Sequence, residues 1–283
     1  MKLSRHAATV SSGVAFATDS DFNAVGKGSA TIADAFPDTG KPRCVSALRC
    51  SAAVVTSYLC SMTLAARIDH TLLRPDATEQ QIAQLCDEAA AHGFAAVCVP
   101  PCYVALVAAQ LAGTGVAVAT VIGFPLGYAT SSVKFKEAEV ALYDGATELD
   151  MVINISALKS GQSAAIQAEI LDLADLCHVH QALLKVIIET ALLTEAEMVL
   201  ACQLCVAGEA DFVKTSTGFA SRGASVADVE LLRRSLPAAV RIKAAGGIRT
   251  RAAALALVAA GADRIGSSNS IALIAETDDS TAA

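Results

Sequence analysis

Short apolar runs alternate along most of the chain with longer segments in which apolar residues recur every three or four positions. Ile82, Leu85 and Ala89 illustrate the helical period after Thr78. Such alternation is typical of repeated βα units around a buried parallel sheet. The predicted strands are 67–72, 95–100, 116–123, 148–154, 183–189, 211–217, 241–247 and 264–268. The predicted helices include one from residue 78 and others at 133–143, 194–206, 226–236 and 251–259.

A glycine recurs between each of several helices and the strand that follows. We expect Gly93, Gly145, Gly208 and Gly261 to provide left-handed helix ends there. Eight βα units within about 220 residues predict a small α/β TIM barrel, (β/α)8. A doubly wound open sheet is the structural alternative, but no G-x-G-x-x-G motif follows the first strand.

The regular pattern begins near Met62, which predicts a barrel domain over residues 62–283. Residues 1–61 are rich in small and polar residues without a helix or strand period, so we expect a flexible, poorly ordered N-terminal extension. A translation start at Met62 is a second interpretation. A targeting segment is a weaker one, since four aspartates between residues 19 and 38 are atypical of transit peptides.

The composition of the chain argues against several classes of function. Apolar residues make up 54% of the chain and charged residues 17%, with a formal net charge of −7 and no basic run, which argues against a nucleic-acid partner. No apolar run is long enough to span a membrane. Nine scattered cysteines do not form a secreted disulfide framework, and we interpret Cys202 and Cys205 as buried thiols rather than a redox or metal pair. A cytoplasmic protein is expected, and a homodimer is compatible with the sequence.

Three charged residues interrupt otherwise apolar predicted strands: Asp150, Lys214 and Lys243. A buried strand carboxylate is costly unless it is paired or has a chemical role, and a structural ion pair is the plainer interpretation of Asp150. The two lysines stand at the same depth on neighbouring strands, so their repulsion, together with burial, would lower the pKa of one amine. A neutral amine is a nucleophile towards carbonyl carbon, and we expect amine catalysis without a metal or cofactor.

The ends of the last two predicted strands suggest an anion site. Gly246-Gly247 follows Lys243, and Gly266-Ser267-Ser268 closes the eighth strand. Barrel enzymes often bind phosphate with backbone N–H groups from these two loops, and glycine lets the backbone approach an anion closely. Either loop alone could be an ordinary turn, but their joint position favours a phosphate site.

Several long motifs in the region from Met62 to the end of the eighth strand resemble those of the deoxyribose-phosphate aldolase family. They are Asp69-His-Thr71, Glu148-Leu-Asp-Met-Val-Ile-Asn154, Leu184-Lys-Val-Ile-Ile-Glu-Thr190, Phe212-Val-Lys-Thr-Ser-Thr-Gly-Phe219 and Lys243-Ala-Ala-Gly-Gly-Ile-Arg249. The resemblance implies reversible cleavage of 2-deoxy-D-ribose 5-phosphate to D-glyceraldehyde 3-phosphate and acetaldehyde.

The resemblance also implies roles for individual residues. Lys214 would form the Schiff base, Lys243 would keep Lys214 unprotonated and help to move protons, and Asp150 would be the acid/base partner. Asp69 and Lys185 would belong to the surrounding polar network. Thr217 and Gly218 would bind substrate together with the glycine and serine loops.

One position departs from the family pattern. Some relatives carry a lysine directly after Ser-Thr-Gly that can assist the phosphate, whereas Phe219 stands here, and Arg222 or Arg249 could substitute. Cys98 is expected at a strand end near the site, as a reactive thiol or, more simply, a core cysteine. The functional alternatives are a phosphosugar-binding barrel without catalysis and another Schiff-base aldolase of the transaldolase type. A metal-dependent aldolase is disfavoured, because no histidine/glutamate ligand set is visible at the strand ends.

Overall fold

The computed structural model describes residues 64–275, which form a closed barrel of eight parallel strands in chain order. The predicted TIM barrel is thereby confirmed. The extension predicted for residues 1–61 lies outside the described residues. The strands are β1 (Ile68–Thr71), β2 (Ala96–Val99), β3 (Ala117–Ile122), β4 (Glu148–Val152), β5 (Leu183–Ile187), β6 (Phe212–Lys214), β7 (Arg241–Ala245) and β8 (Arg264–Ser267).

Helices cover the outside of the barrel between successive strands. Thr78 and Thr194 begin two of them with capping boxes, each bonded to the residue three positions later. None of the helices between residues 64 and 275 combines the length and apolarity of a membrane span. They are α1 (Glu79–His92), α2 (Val104–Gln110), α3 (Ser131–Tyr143), α4 (Ile155–Lys159), α5 (Ser163–Val179), α6 (Glu195–Ala207), α7 (Val226–Ser235), α8 (Arg251–Ala259) and α9 (Ser270–Ala275).

The predicted strands were too long at their carboxyl ends. β6 ends at Lys214 rather than at residue 217, and β4 ends at Val152 rather than at residue 154. Ile153 after β4 and residues 215–217 after β6 stay buried, so the sequence pattern continues after the hydrogen-bond ladder has stopped. These buried extensions lie at the carboxyl ends of the strands, which is the end of the barrel where active sites of this fold form.

The glycine interpretation of the helix ends was right in all but one case. Gly93, Gly145 and Gly261 have positive φ angles of 64°, 103° and 113°. After α6, however, Gly208 has φ −95° and the next residue, Glu209, takes the left-handed conformation at φ 58°. Gly208 has a different constraint, because a Cβ there would lie 2.6 Å from Cγ2 of Ile170 on the neighbouring helix.

Candidate active site

Three charged side chains from β4, β6 and β7 meet inside the barrel. Lys214 and Lys243 are direct register partners on adjacent strands, as their matching depth predicted. Both ammonium groups contact the same oxygen of Asp150: Oδ2 lies 2.8 Å from Nζ of Lys214 and 2.7 Å from Nζ of Lys243. All three side chains are buried. A single carboxylate therefore holds the two lysines together despite their mutual repulsion.

The network continues through the two predicted supporting residues. Lys185 on β5 donates to Oδ1 of Asp150 at 2.7 Å and lies 3.8 Å from Oδ2 of Asp69. Asp69 on β1 contacts Nζ of Lys243 at 2.5 Å. Structural pairing thus explains why these charges can be buried, and it does not by itself assign any of them a chemical role.

Glu148 and Arg264 complete this network, and sequence reasoning gave neither of them a place in it. Glu148 contacts Nζ of Lys185 at 2.7 Å, and Arg264 bonds both Glu148 and Asp69. The cluster then contains three carboxylates and four cationic side chains. A neutral amine on one lysine would balance the charges. The signal was available in the motif itself, because Glu148 stands two residues before Asp150 and therefore on the same face of β4.

The three lysines differ in the charges around them. Among residues 64–275, Lys185 has three carboxylate neighbours and Lys243 has two, whereas Lys214 has only Asp150. Burial lowers the pKa of Lys214, and Lys243 lowers it further against the opposing effect of Asp150. Burial acts in the same direction on Lys185 and Lys243, but their carboxylate neighbours outweigh it and raise both pKa values. Lys214 is therefore the amine most easily kept neutral.

The two central carboxylates are held in their ionised form. Burial alone would raise the pKa of Asp150, but Lys185, Lys214 and Lys243 lower it well below its ordinary value. Burial likewise opposes ionisation of Asp69, yet Lys243, Lys185 and Arg264 lower its pKa to about 2.

A cavity of about 480 Å³ opens above this network at the barrel mouth, and Lys214 lies in its wall. All seven residues predicted to bind substrate or phosphate line it. They are Thr217, Gly218, Gly246, Gly247, Gly266, Ser267 and Ser268. Among residues 64–275, the cavity wall contains the cations Arg74 and Arg249, the amine of Lys214 and no carboxylate. The opening is therefore electropositive on a chain of formal net charge −7, which suits an anionic ligand.

Close backbone contacts explain several of the glycines. A Cβ on Gly246 would lie 2.9 Å from Cα of Gly223, and one on Gly223 would overlap the carbonyl of Gly246. A Cβ on Gly266 would come within 3.1 Å of Cε of Lys243, so glycine leaves room for that side chain to pass. The loops after β6 and β7 thus touch backbone to backbone beside the cavity.

The hydroxyl of Thr217 is already engaged. It donates to Oε2 of Glu189 at 2.5 Å, and the same carboxylate oxygen accepts the Thr217 backbone N–H at 3.0 Å. Glu189 is buried and has a left-handed backbone at φ 53°, which costs a non-glycine residue on the order of 1 kcal/mol. Sequence reasoning had included Glu189 in the fifth strand without a role. It fixes the loop after β6.

The position that departs from the family pattern has an aromatic neighbour. Phe219 lines the cavity and packs edge-on against Phe124, with ring centroids 5.3 Å apart. Of the two suggested substitutes for a lysine, Arg249 lines the cavity, whereas Arg222 is paired with Asp228 outside its lining.

Three cysteines considered from sequence are buried and carry free thiols. Cys98 lies on β2, and burial raises its pKa although Lys243 and Lys214 are near. Burial raises the pKa of Cys202 to about 12 and raises that of Cys205 well above its ordinary value. Within residues 64–275, no group of three or more histidine, cysteine or carboxylate side chains is arranged to hold a metal ion.

Comparison with known proteins agrees with this architecture. The DeoC/LacD family aldolase profile matches residues 63–270. The chain is 55% identical over 215 residues to a deoxyribose-phosphate aldolase of Rhodospirillum rubrum, covering 76% of this chain and 90% of the relative. It is 50% identical over 213 residues to the Enterococcus faecalis deoxyribose-phosphate aldolase, covering 75% and 96%.

Solved structures give the same result. The deoxyribose phosphate aldolase of Aeropyrum pernix, described as tetrameric, superimposes with a TM-score of 0.72 at 36% identity, covering 79% of this chain and 97% of that one. The aldolase QR15 superimposes with a TM-score of 0.71 at 40% identity, covering 75% and 94%. The fold and these relatives define a barrel lyase that makes and breaks carbon–carbon bonds. The chain belongs to the DeoC/LacD family of aldolases.

Proposed function

We propose that the chain reversibly cleaves 2-deoxy-D-ribose 5-phosphate to D-glyceraldehyde 3-phosphate and acetaldehyde, with Lys214 as the Schiff-base residue. The observation that carries the proposal is the contrast among the buried lysines. Of the lysines in the part of the chain that the structure describes, only Lys214 combines a place in the cavity wall with a lowered pKa and a single carboxylate neighbour. The choice of substrate is supported by the names of the relatives and by the electropositive cavity.

The neutral amine of Lys214 attacks the aldehyde carbon of the open-chain sugar, and loss of water gives an iminium ion. The iminium withdraws electrons from the C2–C3 bond as that bond breaks. Asp150 accepts the C3 hydroxyl proton, directly or through a water molecule, while the ammonium group of Lys243 on the same oxygen can pass a proton onward. The remaining enamine is protonated at carbon, and hydrolysis releases acetaldehyde.

We assign the phosphate to the glycine and serine loops of the cavity wall. Glycines 246 and 247 after β7 and the segment 266–268 after β8 offer backbone N–H groups, and Arg249 adds a cation. Binding energy at this remote group orients the reacting end of the sugar. Cleavage of this substrate would belong to cytoplasmic breakdown of deoxyribonucleotides and carbohydrates.

Borohydride trapping tests the proposal. The protein is incubated with acetaldehyde, reduced and digested, and the modified residue is mapped by mass spectrometry. We expect an N-ethyl group on Lys214 and none at that position in a Lys214→Arg variant, which keeps a cation but no nucleophilic amine. Release of D-glyceraldehyde 3-phosphate from the sugar phosphate is measured in parallel. A folded wild-type protein that forms no adduct would instead favour the phosphosugar-binding barrel without catalysis.

A further inference from the structure

His70 is the one member of the Asp69-His-Thr71 motif whose side chain faces away from the barrel interior. Strand alternation directs Asp69 into the charge network and His70 into the layer between β1 and the helices. His70 is 3% exposed, and both of its ring nitrogens have partners. Nε2 lies 2.8 Å from a carboxylate oxygen of Glu88 on α1, and Nδ1 lies 2.9 Å from the hydroxyl of Ser270 on α9.

Ser270 connects this histidine to the loop after β8. Its hydroxyl also lies 3.0 Å from the carbonyl oxygen of Ser267, and Ser270 itself is fully buried. The Ser267 hydroxyl donates to the carbonyl of Ile248 at 3.2 Å and accepts the N–H of Asn269 at 3.0 Å. A hydrogen-bonded chain therefore runs from His70 to the two loops that line the cavity after β7 and β8.

The proton positions follow from the partners. Burial lowers the pKa of His70 despite the opposing effect of Glu88, which keeps the ring neutral. A neutral ring beside a carboxylate places its N–H on Nε2, so Nδ1 accepts from Ser270. Ser270 has one hydroxyl hydrogen, and both Nδ1 and the Ser267 carbonyl oxygen lie within hydrogen-bond distance of its oxygen. Glu88 thus sets the tautomer, and the tautomer sets which way Ser270 points.

We propose that His70 and Ser270 are positioning residues, which hold the loops after β7 and β8 in the shape that binds the phosphate group of the substrate. This inference rests on the proposed function, since it concerns the anion subsite of the same cavity. Neither residue lines the cavity, and both act through Ser267. The effect is therefore expected only for ligands that carry a phosphate.

Ser270→Ala is the primary test. This variant loses the buried hydrogen bonds of Ser270 to His70 and Ser267. The loss is expected to raise KM for 2-deoxy-D-ribose 5-phosphate about tenfold, while kcat changes less than twofold. The kcat/KM for unphosphorylated 2-deoxy-D-ribose should stay at the wild-type value. Ser235→Ala is the matched control, because Ser235 makes the same kind of hydroxyl-to-carbonyl bond, to Leu231, on a helix outside these loops.

A pair of histidine variants tests the link from the other end. The side-chain amide of His70→Asn can place its oxygen near the position of Nδ1 and still accept from Ser270, whereas His70→Ala cannot. We expect KM for the sugar phosphate to rise less in the asparagine variant than in the alanine variant. If Ser270→Ala fails to fold, this pair carries the test.

The inference is overturned if Ser270→Ala leaves the KM for the sugar phosphate unchanged. Equal losses for the phosphorylated and unphosphorylated sugars would overturn it as well, since they would indicate general damage. Calorimetric titration with inorganic phosphate separates this result from a failure of the proposed function. A wild-type protein that binds phosphate without cleaving the sugar would refute the proposed reaction alone, and weaker phosphate binding by Ser270→Ala would still support the inference.

Discussion

Replacement of Lys243 by methionine removes one of two positive charges that share a carboxylate oxygen. The contacts of 2.8 Å and 2.7 Å to Oδ2 of Asp150 limit the separation of the two ammonium nitrogens to 5.5 Å. At an effective dielectric constant of about 20, two unit charges at that distance repel by about 3 kcal/mol. Without Lys243, protonation of Lys214 becomes easier by this amount, so the pKa of Lys214 rises. Its neutral fraction near pH 7 should then fall about 100-fold.

The rate of adduct formation with acetaldehyde reports this fraction directly, because that step requires only the neutral amine. We expect the Lys243→Met variant to form the reduced adduct on Lys214 about 100-fold more slowly near neutral pH, and to recover as the pH is raised. Thermal unfolding shows whether the variant is folded. Lys134→Met is the matched control, since it removes a fully buried ammonium group paired with Glu169 outside this network. It should lose stability and keep the wild-type pH profile.

A superimposable pH profile for adduct formation in Lys243→Met and wild type would refute the reasoning. Loss of adduct formation without recovery at high pH, in a folded protein, would also refute it. The first result would mean that burial alone keeps Lys214 neutral, and the second that Lys243 orients the amine rather than tuning its charge.

Two further variants test the charge network and the loop contact. Because the pKa of Asp69 is depressed to about 2, its ionisation contributes about 2 kcal/mol above pH 4 that is lost as the pH falls towards 2. Urea unfolding at pH 4 and pH 2.5 should therefore show a smaller loss of stability for Asp69→Asn than for wild type, and equal losses would contradict the assignment. Gly223→Ala places a methyl group against the carbonyl of Gly246 and should raise KM for the sugar phosphate at least tenfold. Gly161→Ala is the control, because Gly161 has a left-handed backbone but open space around it; this variant should lose about 1 kcal/mol of stability with KM unchanged. An unchanged KM in Gly223→Ala would show that the contact between the two loops does not matter for substrate binding.

The sequence allowed the barrel and the centre of the site to be predicted for related reasons. Buried parallel strands are apolar on both faces, so a charged residue such as Lys214 or Asp150 stands out within them. Matching depth on neighbouring strands could be counted directly from the motifs. Strand ends could not, because Thr215 and Thr217 are as buried beyond the ladder as Lys214 is within it.

Other parts of the site depend on contacts between residues that are far apart in the chain. Arg264 reaches Asp69 across 195 positions, and Ser270 reaches His70 across 200. Nothing in the local pattern around these residues indicates such partners. Helices α4 and α9, with five and six residues, are also too short for a helical period to be recognised.

The backbone contact between Gly223 and Gly246 makes one side of the cavity less tolerant of substitution than the other. On the glycine side, a side chain at Gly223 or Gly246 would displace one loop or the other, so these two positions have almost no freedom to vary. Phe219 and Arg74 on the remaining wall are half exposed and can be exchanged without moving the backbone. Directed evolution towards new aldehydes would therefore gain most from libraries at these two positions, with the glycine loops left as an invariant frame.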